Sequence, residues 1–208
     1  AAGLNDGASA SLIASERALA QHDLKPLARV VSSAVVGVEP RIMGIGPVEA
    51  SNRALAKAGL KMEDMDIIEI NEAFAAQSLA CTRQWGLQDD DPRINPNGGA
   101  IAIGHPLGMT GARILQTATR ELHHQQKRYA LVTMCVGVGQ GYAVVLGLLI
   151  FRRSFSHRPL VVKGYSGPFG ALWEKVGRRG FRIFPLRGRP GTWQSAFSPL
   201  RVRDPDAA

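Results

Sequence analysis

Apolar positions recur along most of the chain with a period of two or of three to four, and the changes of period mark its elements. Lys25 to Val38 alternates strand-forming residues (LARVVSSAVVGV). RIMGIGP then turns through Gly44 and Gly46 into a helix from Pro47 to Ala58, stopped by Gly59. Met65 to Ile70 (MDIIEI) predicts a short buried strand that passes, at Asn71-Glu72-Ala73-Phe74, into a helix running to Trp85. After a turn at Asp89 to Pro92 comes a glycine-rich loop, Asn95 to Gly111 (NPNGGAIAIGHPLGMTG). It empties into a helix from Thr110 to His124 with Ala112, Leu115, Ala118, Thr119 and Leu122 on one face. Tyr129 to Met134 (YALVTM), the turn CVGVGQG and the apolar run Tyr142 to Phe151 predict an antiparallel hairpin. Ahead of these, a loop ending at Asn5-Asp6-Gly7 leads to a small-residue strand near Ala8 to Ala14 and a helix opened by Ser15 with Glu16 beside it. Four alternations of strand and helix predict an α/β layered fold, a mixed five-stranded sheet with helices on both faces.

The pattern stops at Phe151. The last 58 residues show no sustained period, and they hold six of the 12 prolines and 12 of the 25 Lys and Arg. Such a stretch has no visible core and is expected to be a disordered or non-native extension, which divides the chain into residues 1–150 and 151–208. Charge changes the picture at the same place. The formal net charge is +8, but residues 1–150 carry 13 Lys and Arg against 14 Asp and Glu, so the basic character belongs to the tail alone. Two distant cysteines, Cys81 and Cys135, and no secretory signal predict reduced thiols in an intracellular, cytoplasmic protein. The run Tyr142 to Phe151 is about half of the ~20 residues that a membrane-spanning helix needs, so no membrane is expected as a partner.

The candidate chemistry lies in three turns at the ends of strands or starts of helices. One holds Asn71, Glu72 and Phe74, the second His105 between Pro96 and Pro106, and the third Cys135 with Gly137, Gly139 and Gly141. In a layered sheet such turns can meet at one edge, bringing a thiol, an imidazole, a carboxamide and free backbone amides to one place. That set suits carbonyl chemistry in which a carbanion or oxyanion is stabilised. Each residue also has a structural reading: His105 as a loop histidine, Cys135 as an inert buried thiol, Asn71 as a helix cap, Glu72 as a first-turn carboxylate, Phe74 and Met43 as core. Cys81 reads as a packing residue, and His123 and His124 as solvated residues at a helix end. No metal site is indicated, and CVGVGQG is not a dinucleotide fingerprint.

Asn71 to Ala76 (NEAFAA), the whole segment NPNGGAIAIGHPLGMTG, and Met134 to Gly141 (MCVGVGQG) resemble, in order and spacing, the three signature blocks in the C-terminal half of the thiolase family. AGLNDGA near the start and MGIGP at Met43 to Pro47 agree. The resemblance covers about residues 1–150 and implies acyl transfer between CoA thioesters, by thiolytic cleavage or Claisen condensation. Coenzyme A is then a substrate, with no permanently bound cofactor. By the same resemblance Cys135 is the acid/base cysteine, which takes a proton from the α-carbon of acetyl-CoA or from the CoA thiol, work suited to a pKa near neutral. His105 and a water held by Asn71 form one oxyanion hole, and the Gly137 amide half of a second. Phe74 and Met43 line the pantetheine and acyl pocket. GHPLGMTG with MCVGVGQG looks most like the β-ketoadipyl-CoA thiolase branch.

Two departures stand out. The family's acyl-accepting cysteine lies on an N-terminal half that is not among these residues, so that half is the expected protein partner, in a homodimer or homotetramer when complete. Ala2 stands where many relatives have a serine that bonds the pantetheine arm. The rival readings are a noncatalytic remnant serving as an association surface, and nucleic-acid binding through the tail, where Arg178, Arg179, Arg182, Arg187 and Arg189 interleave with Phe181, Phe184 and Trp193. An arbitrary extension accounts better for the tail, so nucleic acid is not the expected partner.

Overall fold

A computed structural model of the chain describes residues 1–149 and a short strand at 163–165. In chain order these form β1 (Ala10–Leu12), α1 (Glu16–Gln21), β2 (Ala28–Gly37), α2 (Gly46–Ala58), β3 (Ile67–Ile70), α3 (Ala75–Gln84), α4 (Ala100–Ile103), α5 (Thr110–Gln125), β4 (Tyr129–Val136), β5 (Gln140–Leu148) and β6 (Lys163–Tyr165). Two 3-10 turns, Pro40–Ile45 and Met62–Asp64, lead into α2 and β3.

The helix boundaries follow their local chemistry. Ser15 accepts a hydrogen bond from the Ala18 amide at 3.3 Å and opens α1. Gly59, with φ +66°, closes α2, whose first and last turns carry Glu49 and Lys57 in the order that the helix dipole favours. The main sheet has the order β2-β5-β4-β3, with β3 parallel to β4 and the other pairs antiparallel. It is mixed, as the pattern predicts, but has four strands rather than five. The small-residue segment forms only the three-residue β1, all of it exposed, which pairs with β6 instead. Alanine and serine side chains offer too little apolar area to hold a strand in the central layer.

Helices cover both faces. Ala50, Ala54 and Leu55 of α2 pack on Ala34, Val36, Ile68, Leu131, Ala143 and Val145. On the other face Ile114, Ala118 and Leu122 of α5 pack on Ile67, Ala130, Val132 and Leu146. The stripe on α5 is therefore turned from the expected one: Ile114 is its centre, and Ala112 and Leu115 lie at its margin. α2 comes unusually close to the sheet at its first residue, because a Cβ on Gly141 of β5 would collide with the Gly46 carbonyl.

β6 lies within the expected extension. The rest of 151–208, including every tail residue of the nucleic-acid reading, is outside the described residues. Among the described residues no helix is long and apolar enough to cross a membrane.

Candidate functional site

β3 and β4 run parallel with Ile70 opposite Thr133, so Asn71 and Cys135 arrive at the same end of the sheet. Ladder bonding continues one step beyond β3, the Asn71 amide donating to the Thr133 carbonyl at 3.0 Å. Asn71 is fully buried. It is not a helix cap: α3 begins four residues later behind Phe74, and Asn71 Nδ2 lies 3.3 Å from His105 Nε2. The other ring nitrogen, Nδ1, is 2.7 Å from Thr110 Oγ1 at the start of α5. Burial and the charge of Arg113 both hold the imidazole below its usual range.

The loop that carries His105 is tied down from two sides. Asn95 lays its carboxamide against the end of β3, Oδ1 accepting from the Ile70 amide at 2.9 Å and Nδ2 donating to the Ile70 carbonyl at 3.0 Å and to Glu72 Oε1 at 2.7 Å. Glu72 Oε2 in turn accepts from the Ile101 amide at 3.1 Å, so its carboxylate faces the first turn of α4 rather than of α3. Gly99 leaves room for it, since a Cβ there would overlap the Glu72 carboxylate. From the other side the N-terminal segment laces the two turns together: the Ala2 amide donates to Ala73 O at 3.1 Å, and the His105 amide to Gly3 O at 2.9 Å.

Cys135 is buried, 6% exposed. Among the described residues no side-chain hydrogen bond links it to Asn71 or His105. Burial pushes its thiol up from the ordinary value, and among the described residues no neighbouring cation offsets the lost hydration. Cys81 is fully buried, donates to Gly44 O at 3.3 Å, and is pushed up to about 11 chiefly by burial, with Cys135 adding to the rise. Gly137 and Val138 are exposed in the turn after β4, and Val138, β-branched with φ +68°, is held in the left-handed region. Phe74 is 46% exposed. Met43 is half-buried in the first 3-10 turn, next to Gly44, which sits against Gln77 of α3.

Residues 24–147 match the family model for the thiolase C-terminal domain. The chain belongs to the thiolase family. Over 146 residues it is 60% identical to the 3-oxoadipyl-CoA/3-oxo-5,6-dehydrosuberyl-CoA thiolase of Escherichia coli K12 and 57% identical to a β-ketoadipyl-CoA thiolase of Acinetobacter baylyi. Each match covers 70% of this chain and 36% of the relative. A crystal structure of human mitochondrial 3-ketoacyl-CoA thiolase in complex with CoA superposes with a TM-score of 0.62 at 48% identity, covering 65% of this chain and 34% of that one. The thiolase domain thus spans about a third of the length of the proteins it matches.

Four residues around the candidate site escape a reading of the sequence by motif. Asn95 and Thr110 were visible only as members of a block. Glu69 and Arg113 carry the one available signal, charges set within an apolar strand and beside an apolar helical stripe. Glu69 is 1% exposed, and burial raises its carboxyl to about 8, with Glu72 and Glu121 adding and Arg113 opposing. The Arg113 guanidinium nitrogens are buried with no hydrogen-bond partner among the described residues. His123 was expected in solvent but is half-buried, its Nε2 2.6 Å from the Leu27 carbonyl, because the last turn of α5 lies over the approach to β2. His124 is exposed, as expected.

Proposed function

We propose that this chain supplies the oxyanion-binding and acid–base half of a thiolase active site, for acyl transfer between CoA thioesters. The observation that carries the reading is the contact between Asn71 and His105, at the sheet end that β4 reaches with Cys135. A thioester carbonyl placed at this pair meets the His105 ring and a water held by Asn71, and charge developing on its oxygen makes such donors worth about 3 kcal/mol each. Cys135 exchanges the proton of the substrate α-carbon or of the CoA thiol. Its raised pKa makes it a proton donor at neutral pH, so its turn as base depends on positive charge or donors that arrive with the substrate.

The Gly137 amide forms part of a second oxyanion hole, in a turn with open space where a Cβ would stand. Phe74 and Met43 line the path of the pantetheine arm. The acyl-accepting cysteine comes from a thiolase N-terminal half, within a dimeric or tetrameric cytoplasmic enzyme. Exposed Phe74, Ile101, Ile103 and Leu107 near the site support a covering surface of that kind. The names of the relatives favour a 3-oxoadipyl thioester as the acyl substrate. Residues 1–150 act as the thiolase domain, and 151–208 are an extension outside it.

The test is thiolysis of 3-oxoadipyl-CoA and acetoacetyl-CoA by this chain alone and mixed with a separately expressed thiolase N-terminal half. Turnover in the mixture, abolished by Cys135→Ala, is the expected result. A demonstrably formed complex without turnover would make the chain a noncatalytic remnant.

A further inference from the structure

A neutral imidazole carries its proton on one of two nitrogens, and only a protonated nitrogen can donate to a carbonyl oxygen. His105 is held neutral by its surroundings, so the choice between Nδ1 and Nε2 decides which side of the ring is the donor.

The neighbours of the ring make that choice. Thr110 is fully buried, and its single hydroxyl proton has two acceptors in reach, the Pro106 carbonyl at 2.9 Å and His105 Nδ1 at 2.7 Å. Pro106 O already accepts from the Met109 and Thr110 amides, both at 3.0 Å, which fills its two lone pairs without the hydroxyl. Nδ1 has no other partner among the described residues. The hydroxyl proton is therefore best placed on Nδ1, which leaves the ring's own proton on Nε2.

The far side of the ring accommodates the same answer. With the Asn71 nitrogen facing Nε2, Asn71 Oδ1 is buried and without a partner among the described residues. The two ends of a carboxamide are interchangeable in shape, and turning the amide by half a revolution sets Oδ1 against an Nε2 proton, with Nδ2 then in the buried place that Oδ1 held. The opposite arrangement, Nδ1–H donating to Thr110, leaves Nε2 a bare acceptor that cannot stabilise negative charge.

We infer that Thr110 is the positioning residue that keeps the proton of His105 on Nε2, so that the donor edge of the ring points toward Asn71 and an incoming acyl oxygen. The value of this arrangement rests on the proposed function. The arrangement itself is measurable without turnover, so a failed thiolysis assay and a wrong tautomer are distinguishable.

The experiment is a two-bond proton–nitrogen correlation spectrum of the full chain at neutral pH, with His105 assigned by its loss in His105→Gln. The expected spectrum has His105 in the Nε2–H form, unchanged in Thr110→Ser. In Thr110→Val its Nδ1 resonance shifts away from the acceptor position toward a tautomer average. An Nδ1–H ring in the wild-type chain, or a Thr110→Val spectrum identical to wild type, would overturn the inference. If Thr110→Val does not fold, the wild-type and Thr110→Ser spectra decide it: Nε2–H in both sustains the inference, and Nδ1–H in either sinks it.

Discussion

The two faces of the four-stranded sheet are filled with different chemistry. Under α2 the layer is made of Ala34, Val36, Ile68, Leu131, Ala143 and Val145, with no buried carboxylate in that cluster among the described residues. Under α5 the apolar stripe is interrupted by Glu69, Arg113 and Glu121, and the two glutamates are each at most 9% exposed. Burying charge costs free energy that an apolar residue of similar size would not. The α2 face is thus composed for stability. The α5 face departs from that composition at Glu69 and Arg113, toward the end where His105 lies, and again at Glu121, about three turns from that end along α5.

The largest effect should come from breaking the apolar face. Leu131→Ala removes a fully buried side chain from its middle and should cost about 2–5 kcal/mol, seen as a lower urea midpoint with an unchanged slope. A loss below about 1 kcal/mol would mean that this layer is not the stabilising one.

A pH titration sharpens the contrast from the other face. The carboxyl of Glu69 titrates near 8 in the folded chain against 4.5 in its ordinary setting, so between those values the folded state holds a proton that the unfolded state releases. Stability should fall as pH rises from about 4.5 to about 8 and level off above, by on the order of a few kcal/mol. Glu69→Gln should flatten that part of the curve. Burial sets the window first, with Arg113 opposing and Glu72 and Glu121 adding, and an equal slope in wild type and Glu69→Gln would assign it elsewhere.

Legibility in the sequence divides along the same line. The alternation of strands and helices, the stop at Gly59, the hairpin of β4 and β5 and the three signature blocks could all be read directly, because each is a local pattern. Three features could not. β1 carried a strand-like pattern but too little apolar surface to enter the main sheet. The phase of α5 is not fixed by its own pattern, because Ala and Thr fit either side of a helix and Ile114 decides it only once the sheet is present. The contacts of Asn95 with Ile70 and of Asn71 with His105 span 25 and 34 residues, and no local pattern encodes a meeting of that kind.

The smallest effect should lie where the two faces meet, at the end of β3. Asn95→Ala leaves the Ile70 amide and carbonyl without their side-chain partner and should cost about 1–3 kcal/mol. Faster amide exchange at Ile70 than at Ile67 would accompany it. Unchanged exchange at both would show that backbone pairing alone holds this corner.

The Asn95 carboxamide also acts as a substitute peptide group. Outside β3, the Ile68 amide donates to Arg93 O at 2.8 Å, the Asn95 amide donates to Ile68 O at 2.9 Å, and the Asn95 side chain takes both polar groups of Ile70. An open strand edge is a template on which another chain can add and polymerise. This border is sealed from Ile68 to Ile70 by the backbone of Arg93 and Asn95 and by the Asn95 side chain, so strand-by-strand aggregation finds no purchase there.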